Sequence, residues 1–182
     1  ISACLVGSEM CIRDRFTVVP KLELTFKEPE INYSEIEQTE TKFDIKKCTP
    51  DQQKWWELTK EGCSFAENHP KGSWFNSAKV DRNKPINTVA ASARASASGF
   101  YHYSEPRHLH IEEYQFAGTY PTDYNFTEFN NNPVYLIGMS VPPIMTARIA
   151  DEIYDQWLSK LNGFEKTEAG GANFLKSFET NA

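Results

Sequence analysis

The sequence lacks any long hydrophobic run, since no window approaches the roughly 18 apolar residues that a membrane-spanning helix needs. Its N-terminal stretch is too short and too charged for a secretory signal. Its four cysteines and four histidines have no paired spacing of the kind that binds zinc. We therefore expect a cytoplasmic protein with reduced thiols, without a membrane segment and without a metal site.

Acidic side chains are scarce in one stretch of an otherwise acidic chain. The net charge is −6, yet residues 69–110 hold six lysines and arginines against two acids. Such a basic stripe can contact nucleic-acid phosphate, although a solvated surface is the commoner explanation.

Residues 4–14, "CLVGSEMCIRD", fit no element, because their apolar residues keep neither the strand nor the helix period. The segment resembles the in-frame translation of a sequencing adapter. We predict that residues 1–15 are such an artefact and that natural upstream sequence is missing. Cys48 and Cys63 then remain as the cysteines of the protein.

Two helices have clear start signals. Thr49 is a predicted N-cap, Pro50 occupies the first helical position, and Gln52 completes a capping box before Gly62 stops the helix. A shorter helix is predicted over residues 111–117. A strand is predicted over residues 16–26, and residues 134–137 are predicted to be a short strand or a packed loop. Residues 164–182 are predicted to be a flexible tail.

A third helix is predicted to begin at Pro142 and Pro143 and to close at residues 162–163. Its apolar residues recur every four positions and predict one buried face. The residues of this stripe are Met145, Ile149, Ile153, Trp157 and Leu161. Residues 138–141 would then form a loop at the helix N-terminus, where free N–H groups and the dipole can hold a polar ligand group. The alternative is that Ser140 is merely a cap.

Four stretches resemble motifs of the DNA (cytosine-5) methyltransferases, in that family's order. "LIGMSVPPIMTARIADEI" resembles the last motif, Gly-Asn-Ser-Val-Pro-Pro followed by a helix. "NKPINTVAAS" and "SEPRHLHIEEYQFAGTYPTDYNF" resemble the two preceding motifs. "AENHPKGSWFNSAKVDRNKP" resembles the recognition region of phage-type members.

The resemblance implies an α+β fold in two parts. Residues 16–95 would be a small, irregular, β-rich target-recognition region that binds duplex DNA. Residues 96–163 would be the C-terminal part of the catalytic domain, whose helical segment packs in the intact enzyme on a missing Rossmann-like domain that binds S-adenosylmethionine.

The resemblance also implies site residues. S-adenosylmethionine contacts are expected from Tyr120, Met139, Ser140 and Val141. Met139 replaces the family asparagine, and His110 replaces the family threonine that caps the short helix. The residues expected to hold DNA phosphate, unless they form only a solvated basic face, are Lys71, Lys79, Arg82, Lys84 and Arg94.

The chemistry of cytosine methylation is missing from the sequence. Attack on C6 of a flipped base needs a thiolate, which the family places in a Pro-Cys dipeptide, but Cys48 follows Lys47 and Cys63 follows Gly62. The base-handling Glu-Asn-Val and the cofactor-binding Phe-x-Gly-x-Gly stretches are also absent. We therefore expect a methyltransferase C-terminal part that is inactive without its N-terminal catalytic half. The alternatives are a non-catalytic DNA-binding module or the recognition subunit of a split methyltransferase.

Overall fold

The computed structural model describes residues 21–25, 29–74, 76–93, 98–126 and 132–160. These residues form a mixed α+β structure with short strands, and none of their helices is long and apolar enough to cross a membrane. Two turns of 3-10 helix lie at Phe65–Glu67 and Leu158–Lys160. The other elements are α1 (Tyr33–Ile36), α2 (Pro50–Leu58), β1 (Ser77–Lys79), β2 (Gly99–Tyr101), α3 (Ile111–Ala117), α4 (Pro133–Met139) and α5 (Pro143–Gln156).

The predicted start of α2 is confirmed. The Thr49 hydroxyl accepts a hydrogen bond from the Gln52 backbone N–H at 3.3 Å, and the Gln52 side chain accepts one from the Thr49 N–H at 2.7 Å. The helix ends at Leu58, before the turn at Gly62, whose φ is +76°. The bounds predicted for α3 are also confirmed, with Gly118 as its C-cap.

The prediction of a β-rich recognition region is wrong for the described residues. Among the described residues of 16–95, β1 is the one strand; it pairs in parallel with β2, which lies beyond residue 95, and Ala78 is opposite Phe100. Residues 21–25 of the predicted first strand are not a strand, and the rest of that segment lies outside the described residues. Most backbone between elements is held instead by turns, caps and side-chain acceptors.

The core continues across the predicted boundary at residues 95 and 96. The described residues fall into two compact units, one of 29–147 and one of 21–25 with 148–160. The larger unit contains the hydrophobic cluster, which joins both predicted regions, as does the pairing of β1 with β2. Its buried members are Tyr33, Ile36, Val80, Ala93, Phe100, Leu109, Ile111, Tyr114, Tyr120, Phe126, Val134 and Ile137.

Residues 134–137 belong to a helix, so the prediction of a strand or packed loop there is wrong. The Asn132 side chain accepts a hydrogen bond from the Tyr135 N–H at 3.2 Å, and Pro133 opens α4. Close packing follows at Gly138, where a Cβ would lie 2.5 Å from the Ala90 carbonyl carbon. Glycine therefore allows the end of α4 to approach the backbone of residues 90–91.

The last helix, α5, buries none of its residues fully, so the predicted stripe is not a buried face within the described part of this chain. The sequence expectation places the packing partner of this helix in the missing domain. Met145 is exposed, whereas Ile149 and Ile153 are half-buried. The helix ends at Gln156 and a 3-10 turn follows at Leu158–Lys160, so the predicted close at residues 162–163 is wrong for the α-helix. Leu161 and the predicted tail lie outside the described residues. Periodicity identifies an apolar face, but it does not supply the partner that buries it.

Candidate cofactor edge and nucleic-acid interface

The structure brings together two of the predicted cofactor residues. The Tyr120 hydroxyl donates a hydrogen bond to Ser140 Oγ at 2.5 Å, and Ser140 Oγ donates to the Ile137 carbonyl at 2.8 Å. Tyr120 is buried, with its ring packed edge-on against Tyr124 and Phe126. We call Tyr120, Met139, Ser140 and Val141 the cofactor edge.

The cofactor edge lies between two helices. Met139 is the last residue of α4 and Ser140 is its C-cap, whose own N–H donates to the Ile137 carbonyl at 3.2 Å. The Ser140 N–H, which was predicted to be a free donor, is therefore already bonded. The prediction of a loop at residues 138–141 did not include α4, which extends to Met139. These bonds agree with the alternative that Ser140 is a cap, and the helix that it caps is α4, at its C-terminus.

Thr119 is a residue of this region that sequence reasoning missed. Its hydroxyl accepts a hydrogen bond from the Ile144 N–H at 3.2 Å, which joins the first turn of α5 to the loop after α3. Its φ of +58° is rare for a residue with a branched side chain. Thr119 and Tyr120 together tie the loop after α3 to the segment between α4 and α5.

The composition of the cofactor edge fits one wall of an S-adenosylmethionine site. Met139 and Val141 are 65% and 57% exposed and offer apolar surface. The Tyr120 and Ser140 hydroxyls both donate within the chain, so toward a ligand their oxygens could act only as acceptors. Ligand sites are typically concave and largely apolar, with a few placed polar groups. The four residues of the cofactor edge therefore resemble at most one open wall of such a site.

A buried ion pair organises the start of α3. Arg107 and Glu113 form two hydrogen bonds, at 3.0 Å and 3.2 Å, and Glu113 is fully buried. The Glu113 carboxylate also accepts from the Tyr33 hydroxyl at 2.8 Å, the His110 N–H at 2.6 Å and the Gln38 N–H at 3.1 Å. We call these five residues the Glu113 junction. Glu113 thus satisfies the N-cap backbone of α3 where histidine replaces the family threonine.

Electrostatics in the junction follow from burial and pairing. Burial lowers the pKa of Arg107, but its hydrogen bonds and charge interaction with Glu113 outweigh this effect and raise the pKa overall. Burial is also the largest cause of the raised pKa of Tyr33. Arg107 is therefore a charged internal group, unlike the exposed lysines of the basic stripe.

His102 lies beside the junction in a buried, hydrogen-bonded position. Its Nδ1 accepts from the N–H groups of Ser104 and Glu105, at 3.2 Å and 3.1 Å, so the neutral ring carries its proton on Nε2. Nε2 lies 2.9 Å from the Glu37 carboxylate. Burial is the main cause of the lowered pKa of His102.

Neither described thiol is poised as a nucleophile. Burial raises the pKa of Cys48 to about 11. The pKa of Cys63 is raised by a hydrogen bond to Glu67 and then by burial. Activated thiols have lowered pKa values, so both groups are mostly protonated near neutral pH. Among the described residues there is also no cluster of three or more metal-ligating side chains.

Three of the predicted phosphate contacts are exposed: Lys71, Arg82 and Lys84. Lys84 Nζ lies 3.2 Å from the carboxylate of Asp81, and the Arg82 guanidinium lies 5.6 Å from the centre of the Tyr103 ring. Both side chains therefore contact a neighbour within the chain and still remain exposed. Arg94 lies outside the described residues.

Lys79 is placed differently from the other predicted phosphate contacts. It is only 9% exposed, and its Nζ lies 3.8 Å from the centre of the Trp56 ring and 3.4 Å from the Trp56 carbonyl oxygen. Burial lowers its pKa. The prediction that Lys79 holds phosphate does not fit this position, because its ammonium packs inside the chain.

Comparison with known proteins agrees with the motifs. The family model of C-5 cytosine-specific DNA methylase matches residues 13–155. The match covers well over half of the chain, so the protein belongs to this family of DNA cytosine methyltransferases. The match begins at residue 13, inside the segment predicted to be an adapter artefact. No curated protein and no solved structure matches the chain.

Proposed function

We propose that this chain supplies target recognition and part of the cofactor pocket of a cytoplasmic DNA cytosine-5 methyltransferase of phage or bacterial type. The substrate is duplex DNA, and S-adenosylmethionine supplies the methyl group. The observation that carries the proposal is the Tyr120–Ser140 hydrogen bond, which joins two family motifs 20 residues apart. It places Tyr120 and Ser140 side by side, as a shared cofactor contact requires.

We further propose that the chain is inactive alone. Attack on cytosine C6 requires a thiolate, and the sequence has no Pro-Cys dipeptide to provide it. The raised pKa values of Cys48 and Cys63 argue against either thiol as a substitute. The nucleophile and the remaining walls of the cofactor pocket would come from the N-terminal catalytic half.

Duplex DNA would be held mainly by exposed basic side chains. Lys71, Arg82 and Lys84 are the described candidates, and Arg94 remains a prediction from the sequence. Phosphate contacts of this kind fix the position of a protein on the duplex without reading bases. Lys79 is left out of this set because it is buried against Trp56.

The test of the proposed inactivity is transfer of tritiated methyl groups from S-adenosylmethionine to DNA by the purified chain. We expect no incorporation above a sample without protein. Incorporation above that level that co-purifies with the chain would contradict the proposal, and a mock purification from cells without the chain controls for a contaminating enzyme.

A second candidate is a self-standing DNA-binding module or the recognition subunit of a split methyltransferase. The observation in its favour is that residues 29–147 contain one continuous core. The neighbouring genomic sequence discriminates between the two. A reading frame that continues upstream into Pro-Cys and Phe-x-Gly-x-Gly motifs supports the first proposal, whereas a start codon near Phe16 supports the second.

A further inference from the structure

The loop of residues 69–74, here called the His69 loop, is built around one imidazole ring. Nδ1 of His69 accepts two backbone hydrogen bonds, from the Lys71 N–H at 3.2 Å and the Ser73 N–H at 3.3 Å. The Gly72 N–H donates to the His69 carbonyl at 2.9 Å. Because Nδ1 is an acceptor for both bonds, the neutral ring must carry its proton on Nε2.

Both ends of the His69 loop are anchored. The His69 ring packs 4.8 Å from the ring of Trp55 on α2, and the backbone N–H of His69 donates to the Phe65 carbonyl at 3.2 Å. At the other end, the Trp74 carbonyl accepts from the Ser77 N–H at 2.9 Å, where β1 begins. The loop is therefore fixed to a helix and to a strand.

The backbone donors of the loop are directed inward. Three successive N–H groups, at residues 71, 72 and 73, bond to His69 itself. A phosphate that approaches residues 71–73 must therefore be met by side chains. Lys71 and Ser73 are both exposed, and a Cβ built on Gly72 between them would meet nothing within 4 Å. This leaves open space around the tip of the loop.

We propose that His69 is a positioning residue that holds Lys71 in place to contact the sugar-phosphate backbone of duplex DNA. The inference rests on the proposed function and names the element that contacts the duplex. Holding the loop in one shape lowers the entropy that Lys71 would otherwise lose on binding. His69 acts through the backbone of Lys71 and Ser73, and its own contact with DNA is not required.

A double-mutant cycle on the full chain tests this coupling. Binding to a fluorescein-labelled duplex is measured by anisotropy over a range of salt concentrations. Lys71→Gln should reduce the steepness of log K against log [salt] by about 0.9, the value for one lost phosphate contact. His69→Leu should give the same reduction, and the double variant should lose no more than either single variant.

Substitutions at His69 separate positioning from general damage to the fold. His69→Asn should retain wild-type binding, because its side-chain oxygen can accept the same local backbone N–H groups in an Asx-type turn. His69→Gln places its oxygen one methylene farther away and should behave like His69→Leu. Lys42→Gln, on an exposed lysine outside the basic stripe, is the matched charge control and should leave the salt dependence unchanged.

The outcomes distinguish this inference from the proposed function. If the wild-type chain does not bind duplex DNA at low salt, both fail. If it binds and the effects of His69→Leu and Lys71→Gln simply add, or if His69→Asn binds as weakly as His69→Gln, the positioning role is overturned while the proposed function stands. Should His69→Leu not fold, judged by circular dichroism, the comparison of Asn with Gln decides.

Discussion

The Glu113 junction and the cofactor edge lie in the same compact unit but differ in burial and in polarity. In the junction, a fully buried carboxylate receives hydrogen bonds from four other residues. At the cofactor edge, two apolar side chains are more than half exposed. The carboxylate of the first region is fully paired within this chain, whereas the second region leaves apolar surface exposed. We therefore expect substitutions in the junction to change stability and substitutions at the edge to leave it nearly unchanged.

Loss of the junction carboxylate should have the largest effect. Glu113→Ala removes the buried partner of Arg107 and leaves the exposed Glu105 carboxylate as its remaining ion pair. Breaking a buried ion pair typically costs about 3–5 kcal/mol in the free energy of unfolding. Urea denaturation should show a lower midpoint or no folded baseline. Glu105→Gln is the matched control, because Glu105 also pairs with Arg107 but is 62% exposed, and it should cost less than about 1 kcal/mol. Equal effects would contradict the larger role given to the buried carboxylate, and a loss below about 1 kcal/mol for Glu113→Ala would show that the junction does not support the fold.

Close packing at the end of α4 should give the next effect. A Cβ at residue 138 would lie within 2.6 Å of three backbone atoms of residues 90–91, which cannot move as easily as a side chain. Gly138→Ala should cost about 1–3 kcal/mol, as overpacking usually does. Gly118→Ala, where the closest atom is a side-chain carbon of Ile137 at 2.9 Å, should cost less. Thermal unfolding measures both, and the reverse order would contradict the packing.

Acid should weaken the fold through His102. Burial lowers its pKa below the ordinary value of 6.5, so below that value the unfolded chain binds a proton that the folded chain does not. The free energy of unfolding should therefore fall as the pH drops through and below 6.5, until the folded-state pKa is reached. His102→Asn should flatten this part of the profile in urea titrations. An unchanged slope would mean that His102 is not the group responsible.

Changes at the exposed edge should have the smallest effect on stability. Met139→Ser removes a side chain that is 65% exposed and should change the free energy of unfolding by less than about 0.5 kcal/mol. It should lower the binding of a hydrophobic dye to the folded chain, since apolar surface is lost. A large loss of stability would show that Met139 packs within the fold after all.

Capping and stop signals in the sequence correctly predicted two helices, α2 and α3. The Thr49-Pro50 start gave α2, and the bounds of α3 were correct, because caps act over three or four residues. The Asn132-Pro133 start of α4 has similar chemistry, yet the short apolar run after it predicts a strand or a packed loop. Short apolar segments are ambiguous in this way, because periodicity alone does not separate buried helix from strand.

Contacts between residues far apart in the chain could not be predicted from the sequence pattern. Glu113 bonds to Tyr33, 80 positions away, and no periodicity links those residues. The burial of Lys79 depends on Trp56 in another element, so its charge alone suggested a surface role. The pairing of Tyr120 with Ser140 was approached only through the family resemblance, which associated both with one cofactor. Their direct hydrogen bond required the fold.

The most direct test of the account is an equilibrium titration of a labelled DNA duplex with the wild-type chain, without the catalytic half. We expect saturable binding whose logarithmic affinity decreases linearly with the logarithm of salt concentration, as displacement of counterions by lysine and arginine requires. A chain that is folded by circular dichroism but shows no such binding at low salt would contradict the claim that it carries target recognition.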